Sequence, residues 1–435
     1  MIGWYCFAFL IIALLYFLLK YRSLSHPSFL ICFIWSLCFL CYCLEMDRYY
    51  GLDTHYINIL MFGIVFFLIG ASFKFIGKNN NSNLRLNKNN NHPVRKIVFY
   101  IICMVSIGVY IYDTIQVIPE LIAGRTITQI ASDGLIKENS STGFLVFLKR
   151  YIANPFSYCI SPYAAYKFFS SKTKHPFAYI GLNILAVVLE TLRHGGRIAL
   201  ICFGCSYLFG FLLFRKKKGH SFFKYIFLIA LIALFVTFSF WISSSRGILD
   251  LGDSLSFYFG GTIPHFDTVL KTFDSSVAEY GYGASILYPI VSFFAIPLRS
   301  LGLISTPQSM ETALYYSSIA EETKLIGPDV LMNAHVSFCY IFYTDFGLIG
   351  VIVGAFLWGL FSAFLYSSVK LKNSRNSFIT ALFILNNAAI LTSFVRFQLA
   401  NYVWLNAILW LYLLFGKEKT KNESSLCLQQ FATRD

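Results

Sequence analysis

The sequence predicts an all-α fold, a polytopic integral membrane helix bundle, and composition and run length carry that prediction. Of the 435 residues, 57% are apolar and only 13% are charged, against roughly 45–50% and about 25% in soluble domains. The apolar residues gather into continuous runs, and a bilayer crossing needs roughly 20 residues. Each run is read as a helix, because lipid offers an open strand no backbone partner and a β-barrel would alternate apolar with polar. Soluble, fibrous and disordered classes are excluded. The net charge of +14 does not point to nucleic acid, because the basic residues sit in short loops between the runs.

Eleven runs are visible, within an expected ten to twelve spans: 2–19, 28–44, 56–76, 97–118, 151–169, 177–192, 198–214, 222–242, 346–369, 378–395 and 399–415. The first lacks a basic segment before Trp4 and a small-residue cleavage site, so it is expected to be a retained helix and not a signal peptide. Cys32, Cys38, Cys41 and Cys43 fall inside the second run, where a thiol packs as a small hydrophobe. Pro155 and Pro162 predict a kink in the fifth. A tight turn, Arg193-His-Gly-Gly-Arg197, separates the sixth from the seventh. Cys202 and Cys205 form a CxxC in the seventh, but without a second pair or a nearby histidine they read as packing residues. The chain thus divides into spans one to eight (1–242), a long extracytoplasmic loop (243–345), spans nine to eleven (346–416) and a cytoplasmic tail (417–435). Within the loop, the semi-apolar stretch 284–304 contains Pro289 and Pro297, which suit a re-entrant or interfacial segment better than a straight span.

Charge sets the orientation. One set of loops, with the tail, carries 23 of the 35 basic residues and three of the 21 acids. That side is expected to be cytoplasmic, which puts the C-terminus inside and the N-terminus outside. Lys149 and Arg150 lie on the outer side against this trend. The cytoplasmic loops are short, and the longest is an asparagine-rich linker without a GxxxxGK[ST] phosphate loop, so ATP-driven chemistry is not expected.

Charges at a membrane edge are costly and therefore candidates for function. Arg193, Arg197, Arg246 and Arg396 all fall at the outer edge, and arginine forks bidentately onto phosphate oxygens. Gly195 and Gly196 beside Arg197 allow close backbone approach. The bland reading is that such arginines reach lipid headgroups or pair with the outer acids. A general base on the same side would come from His265, Asp267, His335 or Asp345. Here too a plain alternative stands: a loop histidine or aspartate is commonly just solvated, and Asp345 suits a helix cap. Tyr258, Tyr280, Tyr282, Tyr315 and Tyr316 are placed either for sugar stacking or for an interfacial aromatic belt. No metal is expected, since there is no HExxH, paired-cysteine or carboxylate cluster.

Four segments carry a family resemblance: Gly195-Gly-Arg197, Ser245-Arg-Gly247, Tyr258-Phe-Gly-Gly-Thr-Ile-Pro264, and Asn333 with Tyr343-Thr-Asp-Phe-Gly-Leu-Ile-Gly350. With the topology, they make the chain resemble the Wzy-type oligosaccharide repeat-unit polymerases that build O-antigen or capsular polysaccharide. The chain departs from them in its ends, which eleven spans put on opposite sides of the membrane. The resemblance implies a multi-pass glycosyltransferase of the bacterial inner membrane, inverting and free of any cofactor. It would act at the outer face on undecaprenyl-diphosphate-linked oligosaccharide, beside a flippase, a chain-length regulator and a ligase. In that reading the arginines neutralise the leaving diphosphate while a histidine or carboxylate deprotonates the acceptor. An O-antigen ligase would use the same donor. A flippase of the same lipid would want charges in mid-span and short loops on both sides.

Overall fold

The computed structural model describes residues 2–75, 93–124, 144–170, 176–194, 198–214, 251–277, 279–333, 335–371 and 376–415. Its helices are α1 (Ile2–Tyr21), α2 (Pro27–Leu44), α3 (Thr54–Ala71), α4 (Pro93–Ile122), α5 (Phe144–Leu148), α6 (Asn154–Phe169), α7 (Pro176–His194) and α8 (Ile198–Phe214). They continue with α9 (Leu251–Gly260), α10 (Thr262–Ser276), α11 (Ala284–Ser300), α12 (Gln308–Glu321), α13 (Cys339–Tyr366), α14 (Ser377–Leu391) and α15 (Tyr402–Phe415). Five helices are long and apolar enough to cross a membrane: Ile2–Tyr21, Pro27–Leu44, Thr54–Ala71, Ile97–Glu120 and Cys339–Lys370. Shorter apolar helices lie at Pro176–Leu192, Ile198–Phe214, Ala284–Arg299, Ser377–Leu391 and Tyr402–Phe415. The expected run 222–242 lies outside the described residues.

Local chemistry sets the helix starts. Asp53 accepts from the His55 N–H at 2.9 Å and opens α3, and Asn376 takes the Phe378 and Ile379 N–H groups to open α14. His26 Nδ1 accepts from Ser28 at 3.2 Å, with Pro27 at the first helical position of α2. Each supplies a partner for amides that have none inside the helix.

Helices α3 and α13 pack backbone to backbone. A Cβ at Gly70 would collide with the Phe356 carbonyl, and one at Gly359 with the Phe67 carbonyl. Both glycines are needed for that approach. Buried polar groups brace the neighbouring helices. Trp358 Nε1 donates to Asn386 Oδ1 at 3.1 Å, Asn386 Nδ2 to Ser362 at 3.0 Å, and Trp35 Nε1 to Ser393 at 3.1 Å. One end of this assembly holds the α1–α2 turn and the close of α13, where the rings of His26 and Tyr366 lie 4.6 Å apart.

At the opposite end stands most of the stretch 251–345. It is not an open loop: α9 to α12 occupy it, with a two-stranded antiparallel hairpin, β1 (Lys324–Gly327) and β2 (Val330–Met332). The all-α expectation is therefore amended by one small sheet. Tyr50 donates its N–H to the Ile326 carbonyl at 2.9 Å, so the hairpin edge is not left open.

Pro289 and Pro297 do not interrupt α11, which runs unbroken from Ala284 to Ser300. Pro297 leaves the Phe293 carbonyl without its helical donor, and Tyr151 Oη supplies one at 2.9 Å. Ahead of Pro155 the chain forms a π-helical turn, Lys149–Ala153. The carbonyls of this turn find side-chain donors: Trp410 Nε1 reaches Tyr151 O at 2.8 Å, and Tyr110 Oη reaches Ala153 O.

Candidate functional site: an arginine cluster at one end of the bundle

The expected ninth span begins at Phe346, and the backbone breaks there. Phe346 (φ −144°) and Gly347 (φ 60°) leave helical geometry within α13, so residues before the break form a separate short helical segment ending at Asp345. That carboxylate accepts from the Ser285 N–H at 2.9 Å and the Ile286 N–H at 2.8 Å. Asp345, fully buried, thus caps α11 and not the span that follows it. Its oxygens satisfy amides at the positive end of the helix dipole, a role that does not require it to move protons.

Asp267 is also structurally engaged. Its oxygens take the Lys271 ammonium at 2.6 Å and the Asp53 N–H at 3.0 Å, tying α10 to the start of α3. Burial pushes its carboxyl above the usual aspartate range, partly offset by Lys271. His265, two residues earlier, has no exposed surface. Its Nδ1 lies 2.9 Å from the His335 carbonyl, which can only accept, so the neutral ring carries its proton on Nδ1. Its Nε2 is buried without a hydrogen bond. Burial lowers the His265 pKa to about 4.

His335 stands differently. It is half-buried, with its ring 5.5 Å from Tyr258 and 5.9 Å from Phe394. The N–H groups of Val336, Ser337 and Phe338 donate to the carbonyls of Val395, Phe394 and Ser393 at 2.8, 3.2 and 2.8 Å. Extending that antiparallel register by one residue sets His335 across from Arg396. The structure thus pairs the backbone just after His335 with the backbone just before Arg396, two segments separated by some sixty positions in the chain. Arg396 pairs with Glu321, at the end of α12, at 3.4 Å, while its Nε is buried without a partner.

Two more arginines join this end, and sequence reasoning missed both. Arg150, in the π-helical turn, is only 8% exposed. Arg299 lies in the last turn of α11 and reaches Thr306 at 3.3 Å. Arg150, Arg299 and Glu321 all lie within electrostatic reach of the Tyr288 hydroxyl, and Arg396 and Glu190 within reach of Tyr158. Each had a signal. Arg150 broke the charge trend, and Arg299 is the one charged residue in the apolar stretch 284–304. Its neighbour Lys149 is accounted for separately, by an ion pair with the buried Asp113 at 2.7 Å. Of the other expected arginines, Arg193 occupies the last turn of α7, and its side chain, Arg197 and Arg246 lie outside the described residues.

Arg150 and Arg299 thus act on one phenol, Tyr288, and Glu321, which acts on it too, is the partner of Arg396; guanidinium groups are suited to phosphoryl oxygens. Among the described residues no group of three or more His, Cys, Asp or Glu side chains could hold a metal ion. No family model, no curated protein and no solved structure matches the chain.

Proposed function

We propose that the chain is a Wzy-type repeat-unit polymerase, joining undecaprenyl-diphosphate-linked oligosaccharides at the outer face of a bacterial inner membrane. The observation that carries this reading is the convergence of Arg150, Arg299 and Arg396 around Tyr288 and Glu321, with His335 in register opposite Arg396. Eleven spans, with the basic loops inside, put this end of the bundle outside.

In the reaction, an acceptor sugar hydroxyl attacks the anomeric carbon of the growing chain. The bond from that carbon to the lipid diphosphate breaks, its electron pair leaves on the diphosphate, and the anomeric centre inverts. Arginine side chains neutralise the charge that develops on the departing oxygen, each charge-assisted contact contributing about 1.5–3 kcal/mol. His335 accepts the hydroxyl proton. Its ring is half-buried beside Tyr258 and Phe394, at the end of the bundle that holds the arginines. Imidazole is the side chain most often used for proton transfer near neutral pH.

The experiment that tests the reading is a deletion strain in the host, with its surface polysaccharide resolved by length. A single repeat unit on its carrier supports the polymerase. Complete loss of attached polysaccharide would favour a ligase, and inward-facing lipid-linked intermediates would favour a flippase.

A further inference from the structure

A second constellation lies on the same end of the molecule, centred on Phe273 of α10. Its ring sits 5.1 Å from Tyr316, 6.1 Å from Tyr343, 6.3 Å from Tyr340 and 6.5 Å from Tyr280. Tyr316, Tyr340 and Tyr343 are buried and locked by hydroxyl contacts: Tyr340 to the Tyr316 carbonyl at 2.7 Å, Tyr316 to the Glu279 carbonyl at 2.9 Å. Around this base, Tyr280, Tyr282 and Tyr315 are 40%, 72% and 50% exposed.

At its edge is Asp274, whose exposed carboxylate accepts from Tyr56 Oη at 2.9 Å and from Tyr343 Oη at 3.0 Å. A carboxylate offers about four acceptor sites, so solvent-facing capacity remains beyond these two phenols. Asp274 is thus an oriented acceptor beside aromatic faces.

Backbone strain points to the same place. Tyr282 adopts φ 48° between two glycines, in the left-handed region that disfavours a bulky side chain. Amide contacts hold it there, Gly281 N–H to Thr344 O at 2.9 Å and Tyr282 N–H to Asp345 O at 3.0 Å. With 72% of its surface exposed, Tyr282 does not recover that cost by packing within the chain. Strain of this kind, fixed by its surroundings and not offset by packing, marks a side chain displayed for use.

We propose that Tyr280, Tyr282 and Tyr315, with the Asp274 carboxylate, form a carbohydrate-binding platform that holds the sugar chain while its reducing end is at the arginine cluster. Aromatic rings stack on the C–H faces of pyranose rings, and the fixed carboxylate accepts from their hydroxyls. Position agrees: Tyr316 at the platform and Glu321 at the arginine cluster share α12, five residues and about 7–8 Å apart along the axis. A short oligosaccharide spans that interval. The identity of the saccharide rests on the polymerase reading; its binding does not require turnover.

The test uses the full chain in phosphatidylethanolamine–phosphatidylglycerol nanodiscs and lipid-free oligosaccharides of one to three repeat units cut from the host's own surface polysaccharide. Binding is measured by calorimetry, and the bound face by saturation-transfer NMR. Wild type binds, and Tyr282→Gly and Tyr315→Ala each weaken binding roughly tenfold, while Tyr282→Phe retains it. Tyr282→Gly is informative because it relieves the positive φ, so its loss of binding cannot be put down to misfolding. Three results would overturn the platform: no binding by wild type, unchanged binding by both ring-removing variants, or binding that follows phosphatidylglycerol content and not the saccharide. The two readings fail separately. Unchanged binding in both Tyr282→Gly and Tyr315→Ala with polymerisation intact removes the platform alone, whereas saccharide binding without polymerisation removes the polymerase alone.

Discussion

Arg150 holds its guanidinium at 8% exposure in a turn whose carbonyls are claimed by side chains of other helices. A guanidinium buried there is a candidate for function, and its planar fork would matter as much as its charge. Arg150→Lys is expected to lower polymerisation about ten- to a hundredfold at equal protein level, nearly as far as Arg150→Ala. Length analysis of the surface polysaccharide in complemented strains checks this, and normal length in the lysine variant would make Arg150 structural. His265 gives a prediction in pH. Its folded pKa is about 4 against an ordinary value of 6.5, so below pH 6.5 the unfolded chain binds the proton that the folded chain refuses. Its contribution to stability is complete above about pH 6.5 and is lost as pH falls toward about 4. Thermal unfolding of detergent-purified protein should show that slope, and His265→Gln should flatten it. At this scale the sequence was legible where chemistry is local. Arg396 and His335 stand out as membrane-edge polar residues, but nothing in their spacing shows them opposite each other, because the pairing of 336–338 with 393–395 is a long-range event. For Arg299 the signal was present, a lone charge in an apolar stretch. It takes the course of α11 past Tyr288 to give that charge a neighbourhood.

Between elements, the tie that positions the cluster is made of proline's missing donors. Pro155 leaves Tyr151 O to Trp410, and Pro297 leaves Phe293 O to Tyr151 Oη, so α15, the π-helical turn and α11 are linked through one tyrosine. Those prolines are visible in the sequence and signal irregularity, but which partner satisfies the freed carbonyl is decided by packing. Apolar runs fare better: 198–214 coincides with Ile198–Phe214, and 28–44 with Pro27–Leu44 to one residue, because continuous hydrophobicity is itself the cause of a buried helix. The stretch 251–345 was harder to read, since its short amphipathic helices and hairpin are held by contacts with one another and with the loop at Tyr50. Asp345 belongs to this scale as well. Its two oxygens hold the first free amides of α11, and an amide offers only one oxygen. Asp345→Asn is expected to cost about 1–2 kcal/mol of stability, read as a lower unfolding temperature, while KM and the pH profile of turnover stay unchanged at temperatures where the protein is folded. A shifted pH profile would return Asp345 to the list of bases.

Taken whole, the molecule is an apolar bundle whose α3–α13 pair is closed by reciprocal glycine contacts and whose polar chemistry is gathered at one end. The sequence-based topology expects 23 of the 35 basic residues in cytoplasmic loops and tail. Alkaline phosphatase fused after Asp274 should therefore be active, and fused after Lys218 inactive; the reverse would put the arginine cluster on the cytoplasmic side. The polymerase account itself is tested most directly with the purified chain in nanodiscs, given a synthetic undecaprenyl-diphosphate-linked repeat unit and no nucleotide or added protein. Products are separated by length, and released undecaprenyl diphosphate is counted against glycosidic bonds formed. The account predicts a ladder of products with one undecaprenyl diphosphate released for each bond, both slowed about ten- to a hundredfold by Arg150→Lys and by Arg396→Lys. Unextended repeat units after prolonged incubation with folded wild-type protein, or a ladder that both variants still make at the wild-type rate, would contradict it.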